Sequence, residues 1–330
     1  GTENSAREAS FIAEYIYPHV TNLYDFEPDS KVEIIIKDVD DYSNGAAYFF
    51  DNKIVVSTLP LDFRLRGSHR WLQNVITHEF THIVQIGASM KASIRLPLAF
   101  IQVMGYEEEK RKDVLYGYPN TIVSYPIPNV SVPPWFAEGT AQFMYPGSTY
   151  DFWDTNRDMI LRDRVINDNL LSLNKMNSFG NKGMGNESVY SQGFAFCNYL
   201  VNRFGDQILP DITTEISSPF NYSINKILKN TTGVNGEKLF VDWKLSLEEK
   251  YYNFKDLISD NIFTGEIIES EGNVNIFPSW SPSGGAFAFL SNRDNESFFQ
   301  TDLYVYQLED SSSTLIAKGV RTAASWQNSY

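Results

Sequence analysis

Apolar positions in residues 5–26, SAREASFIAEYIYPHVTNLYDF, recur at helical spacing, so the segment reads as an amphipathic helix ended by Pro28. The pattern then changes. KVEIIIKDVD and DNKIVVSTLP are β-branched runs expected to pair in one sheet, with an Asn-Gly turn signal at Asn44-Gly45 between them. From Trp71 to Gly87 the helical period returns without proline or internal glycine. Residues 93–113, SIRLPLAFIQVMGYEEEKRKD, are apolar and then densely charged. They predict a core or lid helix ending in a solvated turn, the alternative being a stretch that dips into a membrane surface. Five prolines within residues 116–136 forbid a long helix and imply an extended loop. WFAEGTAQFMY resumes as helix, and residues 152–255 read as mostly helical, with VYSQGFAFCNYLVNRFG stopped by Gly205.

Beyond about residue 256 the texture becomes β. IIES, AFAFL, DLYVYQL and STLIA are short strand-like runs separated by turn clusters such as SPSGG and SNRDNES. Ser279-Trp280 and Ser325-Trp326 lie 46 residues apart, close to the period of a propeller blade. One blade cannot bury its own face, so the natural chain is expected to be longer. The fold class is therefore α+β: a small mixed sheet with a mainly helical C-terminal part over 1–256, then antiparallel strands of a partial propeller over 257–330.

Charge and composition narrow the partners. A formal net charge of -14 argues against a nucleic-acid partner, whose phosphates call for basic surface, and it disfavours anionic membranes. No apolar run approaches the roughly 20 residues of a membrane-spanning helix. The single cysteine, Cys197, forms no intrachain disulfide and leaves the redox compartment open.

The chemistry concentrates at HEFTH, residues 78–82. Helical residues four apart share a face, so the imidazoles of His78 and His82 can converge on one point, and that point suits zinc. Glu79 points about 100° round the helix, which places its carboxylate beside a water instead of on the metal. Zinc activates water near neutral pH, and a carboxylate within reach can take its proton during amide hydrolysis. The chain has only four histidines; His19 and His69 read as surface residues. A third ligand must then be a carboxylate or Cys197. Glu138, on the apolar helix of PPWFAEGTAQF and 56 residues after His82, is the best carboxylate. A helix-start carboxylate favoured by the macrodipole is the plainer reading of the same residue.

HEFTH followed by WFAEG resembles the gluzincin, or thermolysin-like, zinc peptidases, in which two helices supply His, His and Glu. VEIIIKD, NGAAYFF and DNKIVVST look like the strands that precede the zinc helix in bacterial members. In that family the strand before the helix holds extended substrate by β-addition. The resemblance implies one zinc ion per chain held by His78, His82 and Glu138, with Glu79 as general base. It also implies an oxyanion donor from a later helix, for which Tyr190, with Tyr199 behind it, is the candidate. Two departures stand out. Gln142 occupies the position where thermolysin-like members carry an Asp that orients the first histidine, and no Gly-x-Met-Glu-Asn amine anchor is present, which favours an endopeptidase. Residues 272–330 are similar to a TolB-type propeller blade, with Ser283 in place of the usual Asp. The two resemblances together imply an exported bacterial peptidase, periplasmic or on the cell surface, that acts on peptide or protein substrates, with a propeller able to bind a protein partner. The rival reading is a non-proteolytic scaffold with a structural or vestigial zinc site.

Overall fold

The first helix, α1 (Thr2–Tyr24), carries Ala9, Ile12, Ile16, Val20 and Tyr24 three or four residues apart and buries that stripe against α2 (Trp71–Ala88). It ends at Asp25, whose φ of +47° turns the chain before Pro28 is reached; Pro18 lies inside the helix on its exposed side. These coordinates come from a computed structural model that describes residues 2–39, 43–60, 70–93, 95–105, 121–180, 183–295 and 300–320. The chain is α+β and divides into two compact units, Gly1–Leu257 and Ile258–Tyr330.

Three strands follow α1. β1 (Glu33–Lys37) pairs parallel with β3 (Lys53–Ser57), and β2 (Gly45–Tyr48) pairs antiparallel with the other side of β3. The two β-branched runs thus share a sheet, as their sequence suggests. Asn44-Gly45 makes no hairpin turn, however. Gly45 opens β2, and the β2–β3 turn is built from residues 49–52, with Asn52 at φ +49° and the Asp51 N–H donating to the Tyr48 carbonyl at 2.9 Å. Ile54 and Val56 are fully buried and join Val75, Ile76 and Phe80 of α2 in one apolar cluster.

The helical part of this unit comprises α3 (Pro134–Phe143), α4 (Thr155–Ile166), α5 (Gly183–Phe204), α6 (Ile208–Ser217), α7 (Ile224–Thr232) and α8 (Gly236–Ile258). Their core gathers Trp135, Phe136, Phe196, Leu200, Leu209 and Trp243. Gly205 ends α5 at φ +90°, and Gly233 ends α7 in the left-handed region, where a side chain would be strained.

The helix expected over 93–113 is not formed. Leu98–Gly105 is a strand, β4, paired antiparallel with β5 (Thr121–Pro128) in a two-stranded ribbon, and residues 106–120 lie outside the described residues. A continuous apolar run fits a helix and a strand equally by periodicity, and here its partner was concealed within the proline-rich segment read as a loop. That segment is extended, but residues 121–128 are paired.

The second unit is a four-stranded antiparallel meander in sequence order: β6 (Asn275–Trp280), β7 (Ala286–Ser291), β8 (Asp302–Gln307) and β9 (Ser312–Ala317). IIES is not a strand, and β6 ends at Trp280, directly before the SPSGG turn. Phe287, Phe289 and Tyr304 form its core, and the Arg293 guanidinium lies 3.8 Å from the Tyr304 ring centre. No closed propeller is formed by the described residues, and Ser325-Trp326 lies outside them.

Asp158 ties α4 to α8. It accepts from Trp153 Nε1 at 3.2 Å, Tyr251 hydroxyl at 2.9 Å and Lys250 Nζ at 2.8 Å. Partial burial pushes its carboxyl up, but the three donors outweigh burial and hold it below the usual value. A carboxyl depressed in the folded state stabilises above its unfolded pKa, and that contribution is lost as pH falls through the folded value. Asp158→Asn should therefore lower stability by about 1–2 kcal/mol near pH 7. In urea titrations the difference from wild type should shrink below about pH 4; a difference independent of pH would mean that charge is not what Asp158 contributes.

Candidate metal centre

α2 is buried nearly all round: every residue from Val75 to Ile86 is shielded from water. Polar side chains in such a helix need partners, and His78 and His82, one turn apart, find theirs in Glu138 of α3. His78 Nε2 lies 3.2 Å from His82 Nε2, and Glu138 Oε2 lies 3.2 Å from the first and 3.3 Å from the second. The three form the group of potential metal ligands found among the described residues.

The donor set fits a metal ion. Three lone-pair atoms meet in a triangle, and protons alone cannot satisfy all three sides: a hydrogen on each Nε2 would serve Glu138 while setting the two rings against each other. A tetrahedral ion with bonds of about 2.0–2.1 Å has ligand atoms about 3.3 Å apart, and the observed sides of 3.2 to 3.3 Å match. Burial by itself would raise the Glu138 carboxyl, yet the facing His82 and His78 rings pull it well below the ordinary carboxylate range. Burial would likewise depress His82, but Glu138, with a smaller pull from Glu79, leaves it above its usual value.

Glu138 is held in place by glycines. A Cβ at Gly193 of α5 would stand 2.3 Å from the Trp135 carbonyl oxygen, and one at Gly139 of α3 would stand 2.6 Å from the Gly193 carbonyl oxygen. α3 and α5 therefore meet backbone to backbone, one residue from the ligand. Cys197, the other third-ligand candidate, is completely buried in this contact, where burial pushes its thiol up and keeps it protonated. It is not part of the ligand group.

The triad opens onto a cavity of about 520 Å³. Glu79 is in its wall and outside the ligand group, with its carboxylate against β2: a Cβ at Gly45 would stand 2.8 Å from Glu79 Oε1. Tyr190 of α5 also lines the cavity. So do Gly45, Ala46 and Ala47 of β2, the edge strand. β3, the strand directly before α2 in sequence, is paired on both sides, so the strand with an open edge at this cavity, among the described residues, is β2.

Other sequence readings fare differently. Tyr199 packs against Phe196 at 6.1 Å and accepts from Arg203, and it does not line the cavity beside His78, His82 and Glu138. Among the described residues, buried Gln142 has neither amide atom hydrogen-bonded and His82 Nδ1 is equally without a partner, so no bond from Gln142 orients a histidine there. His19 is exposed and stacks on Tyr145 at 4.9 Å, and His69 lies outside the described residues.

Sequence reasoning missed Asp151 and Arg157. Both line the cavity; Arg157 is wholly buried, and its Nη2 donates to Asp151 Oδ2 at 3.1 Å. No local pattern marks such a pair, because its partners meet only through the fold. No protein-family model, curated protein or solved structure matches the chain.

The glycine crossing is open to test. Gly193→Ala should destabilise by about 1–3 kcal/mol through overpacking, and it should also lower metal content by displacing Glu138. Wild-type stability and metal content in that variant would show that the crossing does not set the ligand.

Proposed function

We propose that the first unit is a zinc-dependent peptidase of gluzincin type. The observation that carries this reading is the convergence of His78, His82 and Glu138 at tetrahedral spacing with Glu79 beside them in an open cavity. A site that only stabilised the fold would need no adjacent unligated carboxylate and no cavity. The ions that take two imidazoles and one carboxylate with an open position include zinc foremost.

Zinc bound there would make water nucleophilic near neutral pH and polarise a carbonyl. Glu79, pressed between α2 and the backbone of β2, accepts the proton as water adds to the amide carbon and returns it to the departing nitrogen. The Tyr190 hydroxyl donates to the oxygen that gains negative charge. An extended peptide lies along β2, whose edge, unpaired among the described residues, offers main-chain hydrogen bonds without reading side chains. The absence of an amine anchor supports internal cleavage. Among the described residues no helix is long and apolar enough to cross a membrane, and we place the enzyme outside the cytoplasm by the propeller-like character of its C-terminal sequence alone.

Metal analysis should find about one zinc per chain. Chelator should abolish peptide cleavage, and added zinc should restore it. Glu79→Gln should keep the zinc while kcat falls by about a hundredfold to ten-thousandfold. Glu138→Ala should lose most of the metal. A zinc-loaded wild type that leaves a broad peptide library intact sinks the reading, and a fully active Glu79→Gln variant removes Glu79 from it.

A further inference from the structure

Between α2 and α3 the chain forms the β4–β5 ribbon, and its two strands are unlike the rest of the molecule in composition; residues 106–120, which join them and include the charged run EEEKRKD, lie outside the described residues. None of the ribbon's 16 paired positions carries a charge, in a chain of net charge -14. Phe100, Ile101, Val103, Met104, Ile122 and Tyr125 each leave more than half of their surface in water. Register places Ile101, Val103, Val123 and Tyr125 on one face and Leu98, Phe100, Met104 and Ile122 on the other, so both faces are apolar. Among the described residues neither strand pairs with a third, so each keeps an open edge. Exposed apolar surface of this extent marks an interaction site.

The ribbon is rooted at the metal cavity on both legs. Before β4, Arg95 Nη1 donates to the carbonyls of Phe49 and Phe50 at 3.1 and 3.2 Å, and Phe49 is a cavity wall. After β5, Val130 and Val132 line the same cavity. Asn129 closes the root: its N–H donates to the Pro97 carbonyl at 3.0 Å, and its side chain accepts from the Ala92 N–H at 2.7 Å. A segment bound along the ribbon would thus run toward the three ligands.

We propose that the β4–β5 ribbon is a docking arm that captures an extended, uncharged, apolar stretch of an unfolded polypeptide and leads it to the metal cavity. This rests on the peptidase reading above. Eight residues per strand give a platform about 26 Å long, room for a bound strand on an open edge with its apolar side chains over either face. Neutrality favours such a partner: a charged segment would gain nothing from these 16 positions and would lose hydration over them.

The test separates capture from cleavage. Binding is measured in the zinc-loaded Glu79→Gln background by fluorescence anisotropy with labelled, reduced and carboxymethylated α-lactalbumin, a permanently unfolded chain. The variant Ile101→Thr/Val103→Thr/Val123→Thr removes apolar surface from one face while keeping strand propensity, and Tyr125→Thr alone is the milder change should the triple variant misfold. Binding should weaken about tenfold or more in the triple variant and less in the single one. In the active background, zinc content and cleavage of a six-residue fluorogenic peptide should stay at wild-type level while digestion of the unfolded protein slows. Equal binding of the unfolded chain overturns the arm and leaves the peptidase reading intact. Ribbon-dependent capture by a wild type that cuts no peptide overturns the peptidase reading and with it the arm's role in feeding the cavity. Ribbon-dependent sedimentation with neutral phosphatidylcholine vesicles, or ribbon-dependent self-association in the ultracentrifuge, overturns the proposal in favour of a bilayer or a second copy.

Discussion

Three atoms with lone pairs, two from imidazoles and one from a carboxylate, are held within 3.3 Å of one another in a nearly dry interior. Nothing in ordinary packing favours that arrangement. The lone pairs repel, the carboxylate loses hydration, and a single proton relieves one contact at a time. The surrounding architecture exists to hold them there against this tendency. α2 is locked between α1 and the sheet on an apolar cluster, and α3 is locked onto α5 by glycines that allow backbone contact. A cation placed between them would turn that repulsion into attraction, and the three atoms already stand at the spacing a tetrahedral ion requires.

How much of this was legible in the sequence follows from the range of the interactions. His78, Glu79 and His82 are related by one helical turn, so their mutual geometry is local and the motif displays it directly. Glu138 is 56 residues beyond His82, yet it too was accessible, because an acidic residue on an apolar helix stands out by contrast. The α+β class and most helices followed from periodicity. Asp151 and Arg157 gave no sign, since a buried ion pair looks like any two charged residues until the chain brings them together. Gln142 shows the converse: a position carried over from a family pattern holds a side chain that bonds to nothing among the described residues.

The ribbon is the clearest failure of periodicity, and the reason is physical. Period-two alternation arises when one face of a strand is buried and the other is wet. β4 exposes both faces and is apolar on both, so Leu98 to Gly105 displays no alternation at all. The Asn-Gly misreading has a similar origin. Gly45 is glycine because Val75 and Glu79 crowd its α-carbon, not because the chain must reverse there.

The hydrogen bond from Asn129 to Pro97 joins the two ends of the ribbon at the base, independently of what hangs beyond it. For α2 and α3 the intervening chain is then a clasp of fixed width. Neither residue of that bond is among the 16 paired positions, so no side chain of the two strands takes part in the clasp. The apolar surface of the two strands and the frame around His78, His82 and Glu138 are thus separated by a backbone bond that belongs to neither.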